Sequence, residues 1–419
     1  MTELKKEITL WRGLVLAISI VIGSGLLSLP GLTLEAGDIY SSAMGWMLIC
    51  VAAIPLIYIF TRLGMKYTSS AGLAQYAEVA VGEWGGYIVT IILFGTLSLG
   101  IPVVASIGAS YIRDLFDFQQ SFVSLTAFVI LIFVTSVNIL GVKFSALLNT
   151  ASFVCLILML LSIIFFNLSF FSSGLSVFAE SIVLTGEGKL SYSEIWTTSA
   201  LLFWAFLGWE NLSFGFGEFK NPKETIQKVS WGSYAIVAAL YLGLAVTSIG
   251  ADASGLSIKG ASGLTELLKM TPFGSLLIII VILVILANIN SWMFSFSRLV
   301  YSAGLSGMLP SFIGKLNKKS IPFNSLLTIF VICSCIILIE RFLSLSTLIM
   351  LVNQNFIVLY IISVFAFWKT EKGIRRWAGS LPALASCGFL LSGFTWWSVY
   401  PFFLIITGYV VYRIKAVKK

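Results

Sequence analysis

Histidine is missing altogether from the 419 residues, and charged residues make up only 11% of them. Without imidazole there can be no His-based triad, no His proton relay and no His metal ligand. A soluble domain carries charge on about a quarter of its residues, so water is not the main solvent of this chain. Cysteine is sparse. Cys50, Cys155, Cys333, Cys335 and Cys387 all lie inside apolar segments, and Cys333 and Cys335 would project from different sides of a helix. That spacing argues against disulfides and against a metal cluster. Long polar loops are lacking as well, so no soluble domain is expected.

What fills the chain is apolar sequence, 58% of the residues. Stretches of roughly 20 such residues recur along the whole length, each long enough to cross about 30 Å of hydrocarbon as a helix. A β-barrel would instead show strands of about ten residues with alternating polarity. The expected fold class is therefore an all-α membrane protein of about 12 transmembrane helices. The spans fall at 10–34, 41–63, 86–112, 121–140, 145–171, 194–219, 230–250, 273–303, 323–339, 343–368, 377–394 and 396–412. The first is too long for a signal-peptide core and is followed at once by another span, so it reads as retained.

A net charge of +8 would suit a nucleic-acid binder if it were clustered on a soluble face. Alternating the spans from an inside N-terminus places 21 of the 26 basic residues on the inner side. Only Arg113, Lys189, Lys259, Lys269 and Arg341 fall outside. By the positive-inside rule both termini belong in the cytoplasm, and the basic balance is a topology signal rather than a nucleic-acid footprint. Residues 67–84 are too polar to span. Leu73, Tyr76, Ala77 and Ala80 recur there at helical spacing, which predicts a short helix lying against the bundle. Residues 251–271, outside, are expected to hold a short helix acting as a lid.

Two spans carry weak helix formers or polar groups near their middles. The first contains Val21, Ile22, Gly23, Ser24, Gly25 and Leu26; the sixth contains Phe206, Leu207, Gly208, Trp209, Glu210 and Asn211. Taken alone, Gly-x-Gly is as consistent with close helix packing as with a break. Paired interruptions five spans apart point to unwound segments around a midplane site in a transporter built from inverted repeats. Main-chain groups freed there cannot face lipid. A zwitterionic amino acid would satisfy them, its carboxylate on the N–H groups of Ser24 and Gly25 and its ammonium on carbonyls such as those of Val21, Trp204 and Leu207.

Four stretches, IGSGLLSLPG (22–31), SSAGLAQYAEVAVGEW (69–84), FWAFLGWENLSFGFGEFKNP (203–222) and SRLVYSAGLSGMLP (297–310), resemble the amino acid–polyamine–organocation (APC) superfamily of transporters. Within it the chain is most similar to bacterial exporters of neutral amino acids such as methionine and the branched-chain set. The resemblance implies a 5+5 inverted-repeat core with helices 1 and 6 broken and two added C-terminal helices. The repeats would be 1–171 and 172–368, with 369–419 peripheral. It also implies that Gly23, Ser24 and Gly25 hold the carboxylate, that Val21, Trp204 and Leu207 offer carbonyls, that Trp204 and Phe206 gate the site beside Gly208, and that Trp292 faces the side-chain pocket. Many sodium-independent relatives place a lysine midway along the fifth span. Cys155 and Leu156 stand near that position here, so coupling through such a lysine is not supported.

Glu210 is the one carboxylate well inside an expected span, and at membrane depth it must be either protonated or paired. A role in gating or proton coupling stands beside a structural bond to freed N–H groups. Glu218, Lys220, Asn221 and Pro222 read as a helix stop with a charged inner-gate loop, and Arg298 closes the eighth span inside. No other charged group lines the presumed pocket, which favours neutral, apolar substrates of modest size. The expected function is a secondary active amino acid transporter of the cytoplasmic membrane, working by export or exchange, without a cofactor and with no enzymatic activity. The coupling ion stays open between H+ and Na+, with Ser291 and Ser295 available for sodium. A coupled uptake symporter and a passive channel remain alternatives, the channel lacking a filter-loop motif.

Overall fold

The computed structural model describes residues 8–23, 25–68, 72–140, 142–318, 321–394 and 396–417. In chain order its helices are α1 (Leu10–Val21), α2 (Gly25–Ala36), α3 (Ile39–Lys66), α4 (Leu73–Val81), α5 (Gly85–Phe116), α6 (Val123–Leu140), α7 (Val142–Phe166), α8 (Leu168–Gly186), α9 (Tyr192–Leu202), α10 (Trp209–Leu212), α11 (Pro222–Ala253), α12 (Leu264–Lys269), α13 (Gly274–Leu305), α14 (Phe323–Ile339), α15 (Leu345–Thr370), α16 (Gly373–Leu391) and α17 (Val399–Val417). Among the described residues there is no β-strand, and a single parallel bridge joins Ile8 to Phe219.

Eight of these helices are long and apolar enough to cross a bilayer, and α1 with α2 makes a further span bent by 41°. Apolar side chains face outward along them. On α6, Leu125, Val129, Ile132 and Phe133 form one exposed stripe, the pattern of a helix whose solvent is lipid. Polar caps mark where chains leave the hydrocarbon. Asp38 accepts the Ser41 N–H at the start of α3 (2.6 Å), and Ser344 accepts that of Thr347 at the start of α15 (3.1 Å). At the opposite end Asn221 adopts the left-handed conformation and Pro222 opens α11, so the expected stop after the sixth span is present.

The long helix α5 runs through the middle of the bundle and packs against α6, α13, α15 and α17. Its first turns meet the last turns of α17, through Trp84 against Tyr409 and Tyr87 against Tyr412. The start of α5 and the end of α17 thus share one end of the bundle, here called the inner end. There, too, Arg62 pairs with Glu371 at 3.0 Å and Lys66 donates to the Thr370 carbonyl, tying α3 to α15. The short helix expected at 67–84 is α4, with Leu73, Tyr76, Ala77 and Ala80 buried against the bundle. The one expected at 251–271 is α12, at the outer end.

The fifth span was expected to run to 171, but it ends at Phe166. Asn167 leaves helical geometry and its amide donates back to the Ile163 carbonyl at 2.8 Å. The chain then enters α8, a helix that hydropathy alone would make a span. Its contacts show that it lies across the outer end. Near its start Phe170 and Gly174 meet Gly250 and Val246, close to the outer end of α11, while Glu180 accepts from Tyr40 at the outer start of α3. Both halves of α8 therefore sit at one level.

This crossing depends on glycine. A Cβ on Gly250 would lie 1.9 Å from the Phe170 carbonyl oxygen, which belongs to backbone and cannot rotate away. Gly250→Val is expected to destabilise the protein by about 2 kcal/mol or more. Gly388→Ala in α16, where nothing lies within 4 Å, should be neutral or slightly stabilising. Thermal unfolding of the two variants in detergent checks the contrast.

Candidate functional site

Both expected interruptions are present. α1 ends at Val21, Ile22 turns extended (φ −78°, ψ 97°), and α2 resumes at Gly25. In the sixth span α9 passes into a tight 3-10 turn at Phe203–Phe206, Leu207 is extended, and Gly208 takes φ +127° before α10 begins. That angle favours glycine, which has no Cβ to clash.

The breaks meet each other. Gly208 lies against the main chain of Ile20 and Val21, where a Cβ would come within 3.1 Å of the Ile20 carbonyl oxygen. One phenol links them: the Tyr241 hydroxyl of α11 lies 2.9 Å from the Ala205 carbonyl and 3.2 Å from that of Val21, a shared donor for two acceptors. The Gly208 N–H is shared between the two carboxylate oxygens of Glu210 (2.9 and 3.0 Å), and Tyr360 of α15 donates to Glu210 Oε2 at 2.7 Å. Glu210 is buried and has no cationic partner among the described side chains. Its bonds all come from N–H and O–H groups.

Beside this junction is a cavity of about 40 Å³, bounded by Val21, Gly23, Gly25, Leu207, Gly208 and Glu210 of the breaks, with Trp204, Asn288, Trp292 and Phe356 around them. The two indoles stack, 5.7 Å between centroids and 17° apart. Each rests on a glycine. A Cβ on Gly25 would fall 2.2 Å from Trp204 Cδ1, and one on Gly100 of α5 would fall 2.6 Å from Trp292 Cζ3. Trp204 thus covers the N-terminus of α2, where the helix dipole favours an anion and the Leu26 N–H turns back to the Gly23 carbonyl at 3.3 Å. At 40 Å³ the cavity is smaller than the sites that hold whole small molecules, so it is closed down in this state.

Several expected site residues are brought together here: Val21, Gly23, Gly25, Trp204, Leu207, Gly208, Glu210 and Trp292 all line the cavity. Ser24 lies outside the described residues. Phe206 is not on the cavity wall. Its ring packs edge-on to Tyr241 at 5.4 Å and beside Tyr234, behind the break, because the 3-10 turn points it away from Trp204. Ser291 donates to the Ala287 carbonyl of its own helix and Ser295 is exposed; neither lines the cavity. The Trp204 carbonyl accepts from the Leu207 N–H, and the Val21 carbonyl faces Tyr241, so neither is wholly free. Sequence reasoning missed Tyr241, Tyr360, Asn288 and Phe356. Asn288 did carry a signal, an amide in the middle of the otherwise apolar run of α13; the tyrosines and Phe356 carried none.

At the inner end the chain closes with main-chain bonds. The Ile8 N–H donates to the Glu218 carbonyl and the Lys220 N–H to that of Ile8, both at 2.9 Å. Arg298 lies over the Phe294 ring and donates to the Ser297 hydroxyl, so it is bound within its own helix.

A family model for amino acid permeases matches residues 8–414, from the bridge at Ile8 to the last turns of α17. The chain belongs to the amino acid permease family. The permease is 26% identical to the uncharacterized amino acid permease YecA of Bacillus subtilis, over 99% of this chain and 97% of that one. It is 24% identical to the L-methionine/branched-chain amino acid exporter YjeH of Escherichia coli, over 97% and 96%. The serine/threonine exchanger SteT of Bacillus subtilis is 25% identical over 90% and 87%. These relatives are carriers rather than enzymes, and the permease is a multi-pass membrane protein that handles small amino-acid-like molecules.

The contact of Trp204 with Gly25 generates a test. Gly25→Ala should push the indole off α2, lower amino acid affinity at least tenfold and destabilise the permease by about 1–3 kcal/mol. Trp204→Phe in the same chain should recover part of both losses, because the smaller ring leaves room for the methyl group. Binding isotherms and melting curves of the single and double variants read the coupling.

Proposed function

We propose that the permease is a secondary active carrier for small neutral, apolar L-amino acids, the methionine, leucine, isoleucine and valine class, working by alternating access in export or exchange. The observation that carries this reading is the junction of two interrupted helices under a pair of stacked tryptophans. The α2 N-terminus at Gly23 and Gly25 suits a carboxylate, and the carbonyls around Val21 and Leu207 suit an ammonium. The remaining walls are mostly apolar, Ile20, Leu26, Trp204, Ala205, Trp292 and Phe356, with the uncharged amides of Asn211 and Asn288 among them. A cationic side chain would find both Glu210 oxygens already engaged, and no cation lines the cavity for an anionic one. The exporter of methionine and branched-chain amino acids among the relatives agrees with this choice.

The same reading takes 1–171 and 172–368 as inverted repeats with 369–419 peripheral, and both termini in the cytoplasm. It assigns Glu210 to gating or proton coupling. Its carboxylate bonds the very N–H that the break in the sixth span exposes, so gain or loss of a proton would change how firmly Gly208 is held. Proton coupling is favoured over sodium because neither Ser291 nor Ser295 lines the cavity and Ser295 is exposed. A proton-coupled uptake symporter on the same fold is the second reading, and it rests on the same Glu210.

Purified protein in liposomes, assayed for counterflow of labelled amino acids with and without sodium or a pH gradient, tests the proposal. Saturable, trans-stimulated flux of methionine, leucine, isoleucine and valine is expected, with little for lysine or glutamate and no requirement for sodium. Flux that neither saturates nor responds to substrate on the far side would mean a pore. Glu210→Gln should flatten the pH dependence of exchange; normal exchange at every pH would remove Glu210 from the mechanism.

A further inference from the structure

A cavity larger than the one at the breaks lies elsewhere in the bundle. It is a vestibule of about 470 Å³ at the outer end, lined by Leu32 and Glu35 of α2, Ser106, Ser110 and Arg113 of α5, the loop at Lys259, and Glu340 just beyond α14. Its volume falls in the range of small-molecule sites, whereas the central cavity holds less than a tenth of it. Leu32 of the vestibule and Leu26 of the central cavity share α2, six residues or about 9 Å apart.

The charges in the vestibule are arranged unevenly. Arg113 is already committed: it pairs with Asp114 and donates to Gln120 and Ser262. Glu340 is half-buried, and among the described side chains its carboxylate accepts only from the Ser106 hydroxyl, at 2.6 Å. The Ser110 hydroxyl donates to the Ser106 carbonyl and keeps its oxygen lone pairs. Lys259 makes no ion pair among the described side chains. One half-buried carboxylate with two hydroxyls, and one uncommitted ammonium across the same cavity, form the complement of a zwitterion.

We propose that this vestibule is a second, outer amino acid site, where Glu340, Ser106 and Ser110 hold the substrate's ammonium and Lys259 its carboxylate before it enters the closed central cavity. The proposal rests on the amino acid carrier reading above and adds a waiting position on the substrate's path. Burial lifts the Glu340 carboxyl to about 7, against the opposing pull of the Ser106 hydrogen bond. The charged groups that line the cavity with it are Glu35 from α2, Arg113 from α5 and Lys259 from the outer loop. An ammonium binds the ionised carboxylate, and that form is lost as pH falls through about 7. Binding at the vestibule should therefore strengthen by roughly tenfold between pH 6 and 8.

Equilibrium binding of labelled L-methionine to the purified full chain decides the matter. Two sites are expected in the unmodified protein. Glu340→Gln, nearly isosteric, should leave one site, the central one. Trp204→Ala should also leave one, now with the vestibule's pH dependence. Ser106→Ala, which keeps the carboxylate, should weaken the outer site by roughly fivefold. A stoichiometry of one in the unmodified protein, or of two in Glu340→Gln, overturns the outer site while the carrier reading stands. Absence of any methionine binding and of counterflow overturns the carrier reading itself.

Discussion

A main-chain N–H or C=O exposed within a bilayer has no water to bond, and each one left bare costs several kcal/mol. Two helices here are interrupted at mid-depth, so the structure has to settle the freed groups within itself, and the way it does so arranges everything around them. Tyr241 serves the carbonyls of Val21 and Ala205 together. Glu210 takes the Gly208 N–H on both oxygens, and the 3-10 turn uses the Leu207 N–H for the Trp204 carbonyl. What is left over is the N-terminus of α2, covered by an indole. In the proposed reading a dipolar guest is the partner for that remainder.

Glycines then define which surfaces can part. Trp204 rests on Gly25 and Trp292 on Gly100, while the outer loop donates the Gly260 N–H to the Gly31 carbonyl of α2 at 3.2 Å. Contacts between a flat face and a glycine have few interlocking side chains, so separating them breaks few specific bonds. The closure at the inner end is of another kind: Ile8 is held to Glu218 and Lys220 by paired main-chain hydrogen bonds. The outer side is thus covered by aromatic rings with one main-chain bond from Gly260 to Gly31, and the inner side is held by a pair of main-chain bonds.

The two unusual carboxylates differ in what surrounds them. Glu210 is enclosed by N–H and O–H donors from its own break and from α15, which makes it part of the junction's geometry. Glu340 borders open volume and, among the described side chains, is bonded by the Ser106 hydroxyl alone. Charge type is the same in both; the number of donors already spent on each differs.

Hydropathy, charge placement and the paired polar interruptions were enough, from the residues alone, to specify an all-helical membrane bundle, its break points at Gly23 and Gly208, and the buried acid at 210. These are local properties: a long apolar run favours a helix out of water, and a glycine in mid-span weakens its own helix whatever surrounds it. Tertiary structure alone decided that α8 lies across the bundle end, that Phe206 turns behind the break while Trp204 covers it, and that Tyr241 and Tyr360 complete the junction. It also gathered Glu340, Ser106 and Lys259 from far-separated segments around one cavity. Those facts depend on which helices become neighbours. A tyrosine in mid-helix reads the same in one dimension whether it faces lipid, a packed ring or a bare carbonyl.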